Sequence, residues 1–347
     1  MKTLCEAEEY IPKIPGQLVL NLLNIVFAVI AIFGNALIIV AILKSKQLRS
    51  QTSIYFILSL ALSDFLVGLV VQPLYSLVLI DWSYHTCQIH HYKFAIAFFT
   101  CSVSIGNAFC VCFDRMLRIT KPFHYENYVT KKRALLLCIN MWCMGVAVGV
   151  MVAQPETELL MAYGAPVEML ISFIICIYCA VQIYKVGQEQ IERITKSNGS
   201  DSKQRKKKQV LMERKLSSSL VSVLATIVIC WGPFAIVNLI QQYTDDDSEL
   251  WILLFKVRLW TVLFGYSKST INIFIFGLTH RDIKTAIRNI LTLQDSKRSS
   301  LELRPMNSVN SYGSTKQQRT LVEISFYIFQ KDIFQTECAS LLSLQAL

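Results

Sequence analysis

Asp64, Glu168 and Lys268 each interrupt a long stretch of sequence that otherwise carries no charge. At the depth of a bilayer's hydrocarbon a lone carboxylate or ammonium is costly, so residues of this kind face a protein interior and find partners there. The chemistry open to them is pairing, hydrogen bonding and ion holding. Bond-breaking chemistry has no support, because paired histidines or carboxylates at membrane depth are absent. No His/Cys cluster has metal-site spacing, and His90-His91 at the end of a stretch reads as an interfacial pair rather than a ligand pair. Other polar residues inside apolar stretches must also find partners: Asn35 after Gly34, Ser104, Asn272, and Trp231 with Pro233 in CWGP. Asp114 and Arg115 stand together just past one stretch.

The elements that must position these residues follow from hydropathy. The 347 residues are 53% apolar and 17% charged, with a mean hydropathy of +0.44, which makes a soluble enzyme a poor reading. Uncharged stretches near the ~20 residues that cross a hydrocarbon core run from Leu18 to Leu43, Ser53 to Ile80, Phe94 to Phe113, Ala134 to Gln154, Leu159 to Tyr184, Leu216 to Thr244 and Leu259 to Thr279. The expected fold is an all-α membrane protein, a seven-transmembrane helix bundle. The first stretch is preceded by Glu6, Glu8 and Glu9 and is too long for a signal-peptide core, so it is expected to remain as a helix. The loops after spans one, three and five hold 19 lysines and arginines, far more than the opposite side, where the loop after span six holds Lys256 and Arg258. The positive-inside rule then places the N-terminus outside and the tail inside. The net charge of +10 belongs to the inner face, where it suits anionic lipid or an acidic partner; split among membrane-tethered loops, it argues against nucleic acid.

Residues 1–17 are expected to form an extracellular N-terminus, 18–279 the bundle and 280–291 a short amphipathic helix after span seven. In that last segment Ile283, Ile287, Ile290 and Leu291 recur at helical spacing between Arg281, Lys284 and Arg288, suiting the inner membrane surface. Residues 292–347 are expected to be a largely disordered cytoplasmic tail, and SNGSDS with KQRKKK at 197–208 a flexible solvated segment. Eight of the eleven cysteines fall inside spans and read as small hydrophobes. Only Cys5 and Cys87 lie on the oxidising side, which leaves one possible extracellular disulfide.

From about residue 18 to residue 291 the chain resembles a rhodopsin-like (class A) G-protein-coupled receptor. The markers come in order: GN in span one, LALSD in two, DR before RITKPFHY in three, Trp142 in four, Tyr178 in five, CWGP in six, NIFIF then HRDI in seven. The resemblance implies that Asp114, Arg115 and Glu213 form an ionic latch at the G-protein face, because guanidinium–carboxylate bonds are strong and directional. The alternative is that they are solvated interface charges. It also implies a switch in which the Pro233 kink lets span six swing while Trp231 senses the ligand; a bulky core tryptophan is the bland alternative. The family's NPxxY tyrosine is Phe276 here and its proline is Ile273, which removes a hydroxyl and a kink. WGPFAIVN and FGYSKSTIN resemble the biogenic-amine branch, whose ligand-binding positions correspond to Ala97, Phe234, Asn238 and Tyr266. Amine receptors place an aspartate at the position of Ala97, so a cationic amine lacks its counter-ion unless Glu168 supplies one. The family's retinal-bearing lysine position is Tyr266, and Lys268 lies about 200° around a helix from it, which argues against an opsin.

In the resembling family Asp64, Ser104 and Asn272 line a polar cavity that holds a sodium ion, with Asn35 close by. An asparagine usually stands where this chain has Lys268. The expectation is that Lys268 pairs with Asp64 and replaces the ion; the alternative is that it turns toward another helix. As a function, the resemblance implies an orphan receptor of the plasma membrane that signals to a heterotrimeric G protein. Arrestin and receptor kinases are expected partners, the extracellular ligand is a small molecule or peptide, and no cofactor is implied. A membrane transporter or channel is the alternative, although neither pseudo-repeated halves nor matching broken helices appear.

Overall fold

In hydrocarbon each backbone N–H and C=O must be satisfied within its own segment, so apolar sequence of membrane length folds as helix. The structure, a computed structural model, describes residues 16–80, 87–121, 124–154, 158–196, 200–245 and 248–302. All regular elements among them are helical: α1 (Gln17–Lys44), α2 (Lys46–Ser50), α3 (Ile54–Leu66), a π-helical turn (Val67–Val71), α4 (Gln72–Ile80), α5 (Cys87–Thr120), α6 (Tyr125–Tyr128), α7 (Lys131–Val152), α8 (Glu158–Lys196), α9 (Ser200–Gln242), α10 (Glu249–Thr279) and α11 (Arg281–Glu302). Among the described residues seven helices are long and apolar enough to cross a membrane, the second of them composed of α3, the π turn and α4. The chain divides into two compact units, Met1–Thr292 and Leu293–Leu347. The first contains the bundle; the second is described over 293–302 only, as helical backbone.

α5 packs against α3, α7, α8 and α9, so the third span is the axis of the bundle, while α1 closes the ring against α3, α4 and α10. One apolar cluster fills the half around Phe56, Ile105, Leu224 and Phe276, and a second fills the half around Leu20, Tyr75, Phe255 and Tyr266. We call the end where α5 begins the outer end and the end where α5 finishes the inner end. Outward-facing Leu, Ile, Val and Phe on all the long helices leave an apolar belt, as lipid-facing surface requires.

Four boundaries differ from those that hydropathy predicts. The third and seventh spans, Tyr92–Thr120 and Glu249–Gly277, begin before Phe94 and Leu259 and so include Lys93, Lys256 and Arg258. A charge-free window stops at a charge, whereas a helix stops where its backbone bonding stops; Ser248 caps α10 by accepting from Trp251 N–H at 3.1 Å, ten residues before Arg258. The helix after span seven continues to Glu302 rather than ending at Leu291, and 200–208 belong to α9 rather than to a loop. Ile283 and Ala286 of α11 are buried against the inner cluster, with Arg281, Lys284 and Arg288 exposed, so the amphipathic pattern selects the buried face.

The π turn has a local cause. Pro73 has no N–H to donate to the Leu69 carbonyl, which removes a rung from the helical ladder just beyond Asp64. In that turn Gly68 lets α1 approach closely: a Cβ there would stand 3.0 Å from the Ala28 carbonyl oxygen.

Candidate functional site

Asp64 lies at the centre of a polar cluster where α3, α5 and α10 converge. Its Oδ1 accepts from Lys268 Nζ at 3.0 Å, Ser269 Oγ at 2.9 Å and Ser104 Oγ at 3.2 Å, and its Oδ2 accepts from Asn272 Nδ2 at 2.7 Å. Lys268 also donates to Ser104. Asp64 is 0% and Lys268 4% exposed, so this is a buried ion pair whose carboxylate accepts from four side chains. Two charges withdrawn from water are tolerated only with this degree of satisfaction. Asn35 stands one link away, donating to the carbonyls of Ala31 at 2.9 Å and Ser269 at 3.4 Å. Thr226 donates to Asn272 Oδ1 at 3.5 Å and ties α9 to the same network.

Above this cluster an open cavity encloses about 920 Å³ of empty space, its mouth included, within the range of small-molecule sites. Trp231, Tyr266 and Phe234 line its base, with Trp231 edge-on to both other rings at centroid distances of 5.6 Å. Gly265 permits this packing, since a Cβ on it would fall 2.7 Å from the Trp231 ring. Ala97 and Glu168 line the cavity; Asn238 is buried in α9 but is not part of the lining. Lys93 and Arg258 line it too, Lys93 over the Phe94 ring at 5.1 Å and Arg258 over the Phe255 ring at 5.2 Å. Sequence reading missed both, because it assigned them to loops; their spacing to Ala97 and Tyr266, four and eight residues on one helical face, is the signal that could have found them.

At the inner end Arg115 lies 3.6 Å from Asp114 and donates to Ser53 Oγ at 2.7 Å. Tyr125 of α6 donates to Asp114 Oδ1 at 2.5 Å, and Arg118 stacks over the Tyr125 ring at 4.7 Å. Burial and the Asp114 carboxylate push the Tyr125 hydroxyl up to about 12. His280, between α10 and α11, is pushed down to about 4 by burial and by the Arg115 guanidinium, against the pull of Asp282. Glu213 lies on α9, but its side chain is outside the described residues, as are Cys5 and the side chain of Cys87. Phe276 is fully buried in the inner cluster, and Ile273 fills the space over Gly34. Pro233 sits within α9, leaving the Ile229 carbonyl without its helical donor.

A seven-span helical bundle with a buried charged centre, an outer small-molecule cavity and an arginine at the inner end has the architecture of a membrane receptor. Comparison with known proteins identifies which. Residues 34–159 and 153–276 match the family described as "7 transmembrane receptor (rhodopsin family)", and the chain belongs to that family. It is 28% identical to the trace amine-associated receptor 13c of Danio rerio over 76% of this chain and 83% of that one. It is 24% identical to the histamine H2 receptor of Cavia porcellus, covering 83% and 84%, and 28% identical to the D(1B) dopamine receptor of Xenopus laevis, covering 80% and 70%. The chain is a G-protein-coupled receptor near the amine branch and a multi-pass membrane protein; the transporter or channel alternative has no support.

Proposed function

We propose that this receptor resides in the plasma membrane with its N-terminus outside, and that its own Lys268 ammonium holds the resting state in place of a sodium ion. The carrying observation is the 3.0 Å contact between Lys268 Nζ and Asp64 Oδ1 inside a cluster that also includes Ser104 and Asn272. The ligand occupies the outer cavity, where Trp231 feels it, and Pro233 transmits the change along α9 to the inner end. There Asp114, Arg115 and Glu213 govern access of the heterotrimeric G protein, and arrestin and receptor kinases act on the activated form. The protein performs no chemistry of its own. The relatives are named for trace amine, histamine and dopamine, but this chain has Ala97 where amine receptors place the aspartate, so we assign it a different ligand.

The test is nucleotide exchange on purified heterotrimeric G proteins, compared in sodium and in choline. Wild-type exchange is expected to be the same in both, and Lys268→Asn is expected to make it sodium-dependent. A wild-type receptor that responds strongly to sodium overturns the reading.

A further inference from the structure

Lys93 and Arg258 are the notable feature of the outer cavity. They approach it from different helices, α5 and α10, and line the same enclosed space. Their contacts with the Phe94 and Phe255 rings are weak compensation for the loss of water. Among the described residues no carboxylate makes an ion pair with either one; the acids of the bundle are engaged elsewhere, Asp64 with Lys268 and Asp114 with Arg115. Among the described residues Glu168 is the single acid lining the cavity, so two cations and one carboxylate leave one positive charge uncompensated there in a mostly apolar enclosure. A buried charge without a partner is expensive, and a bound anion offsets that cost. Below the cations the walls are aromatic and aliphatic: Trp231, Phe234, Tyr266 and Leu259.

We propose that the ligand is a carboxylate with an apolar, aromatic-sized body, its anionic head held between Lys93 and Arg258 and its body resting on Trp231 and Phe234. The guanidinium supplies a bidentate fork and the ammonium a point charge, the two usual ways of gripping a carboxylate. A single negative charge balances the lining with Glu168 ionised. A cationic amine of similar size would meet two like charges and no aspartate at Ala97. The inference deepens the proposed receptor function and rests on it.

The test uses purified receptor in detergent and the isosteric probes 4-phenylbutyrate, 4-phenylbutyramide and 4-phenylbutylamine, with indole-3-propionate and tryptamine as a larger pair. Saturating carboxylate is expected to raise Tm by roughly 2–4 °C, with no rise for amide or amine. The rise is expected to vanish in Lys93→Met and Arg258→Met, while the ligand-free Tm of those variants equals or exceeds that of wild type because a charge is removed from a mostly apolar enclosure. Equal response to the amide, a response to amines lost in Glu168→Gln, or no response to either carboxylate overturns the proposal. Nucleotide exchange on the same preparation separates the two readings. Exchange without carboxylate binding overturns the ligand class alone; carboxylate binding that never alters exchange on any heterotrimeric G protein overturns the proposed gating.

Discussion

Lys268 is held from three sides, by Asp64, by Ser104 and by the close packing of its helix against α1, and removing its charge strands a carboxylate in a buried centre. Lys268→Ala is therefore expected to cost about 3–5 kcal/mol of stability, and Lys268→Ala with Asp64→Asn markedly less. Thermal unfolding of the two variants beside wild type measures the difference; equal losses in the single and double variants would show that the pair is not coupled. His280 gives a pH-dependent expectation. Its folded value near 4 lies below the ordinary 6.5, so between those values the unfolded chain binds a proton that the folded chain refuses. Stability thus falls as pH drops, by about 2 kcal/mol between pH 7 and pH 5. His280→Asn is expected to flatten that part of the stability profile, as read by thermal unfolding at the two pH values.

Two glycines in the switch region invite opposite outcomes, and both belong to helices rather than to single contacts. Gly232 precedes Pro233 in α9, and a Cβ there would meet nothing within 4 Å. Gly232→Ala is expected to stabilise the resting helix by up to ~1 kcal/mol through helix propensity alone. It is also expected to lower ligand-stimulated signalling, because a stiffer hinge resists the swing of span six. Gly265→Ala in α10 instead places a methyl 2.7 Å from the Trp231 ring and forces the indole to move. Its expected signature is a fall in Tm with altered basal exchange, and an unperturbed Tm would show that the aromatic floor relaxes freely. The π turn at Val67–Val71 belongs to the same scale: Pro73 is legible in sequence as a break, but where the ladder absorbs it depends on α1 pressing against Gly68.

For the whole molecule, the expectation concerns how the inner end is held closed. Arg115 has Asp114 and Ser53 as partners, and Glu213 is carried by α9, the helix that the proposed switch moves. Glu213→Gln is expected to raise basal G-protein exchange at equal surface expression. Unchanged basal exchange would leave closure to the Ser53, Asp114 and Tyr125 contacts alone. The exposed cations of α11, Arg281, Lys284 and Arg288, lie toward the inner end, where an acidic G-protein surface or anionic lipid would meet them.

Sequence alone determined the number of spans and the helical class, because a bilayer admits few alternatives and because hydropathy is a property of local stretches. It also singled out Asp64 and Lys268, since a charge amid apolar residues is conspicuous without any knowledge of neighbours. It could not decide that Ser269 would join them, nor that Tyr125 from a loop helix would reach Asp114, because a serine or a tyrosine carries no pattern that announces a partner on another helix. Lys93 and Arg258 show the limit most clearly. Near the end of a span, charge counting cannot tell a residue in the loop from one that lines a cavity, and only the packing of α5 against its neighbours, with α10 closing the ring, turned both toward the same enclosed space.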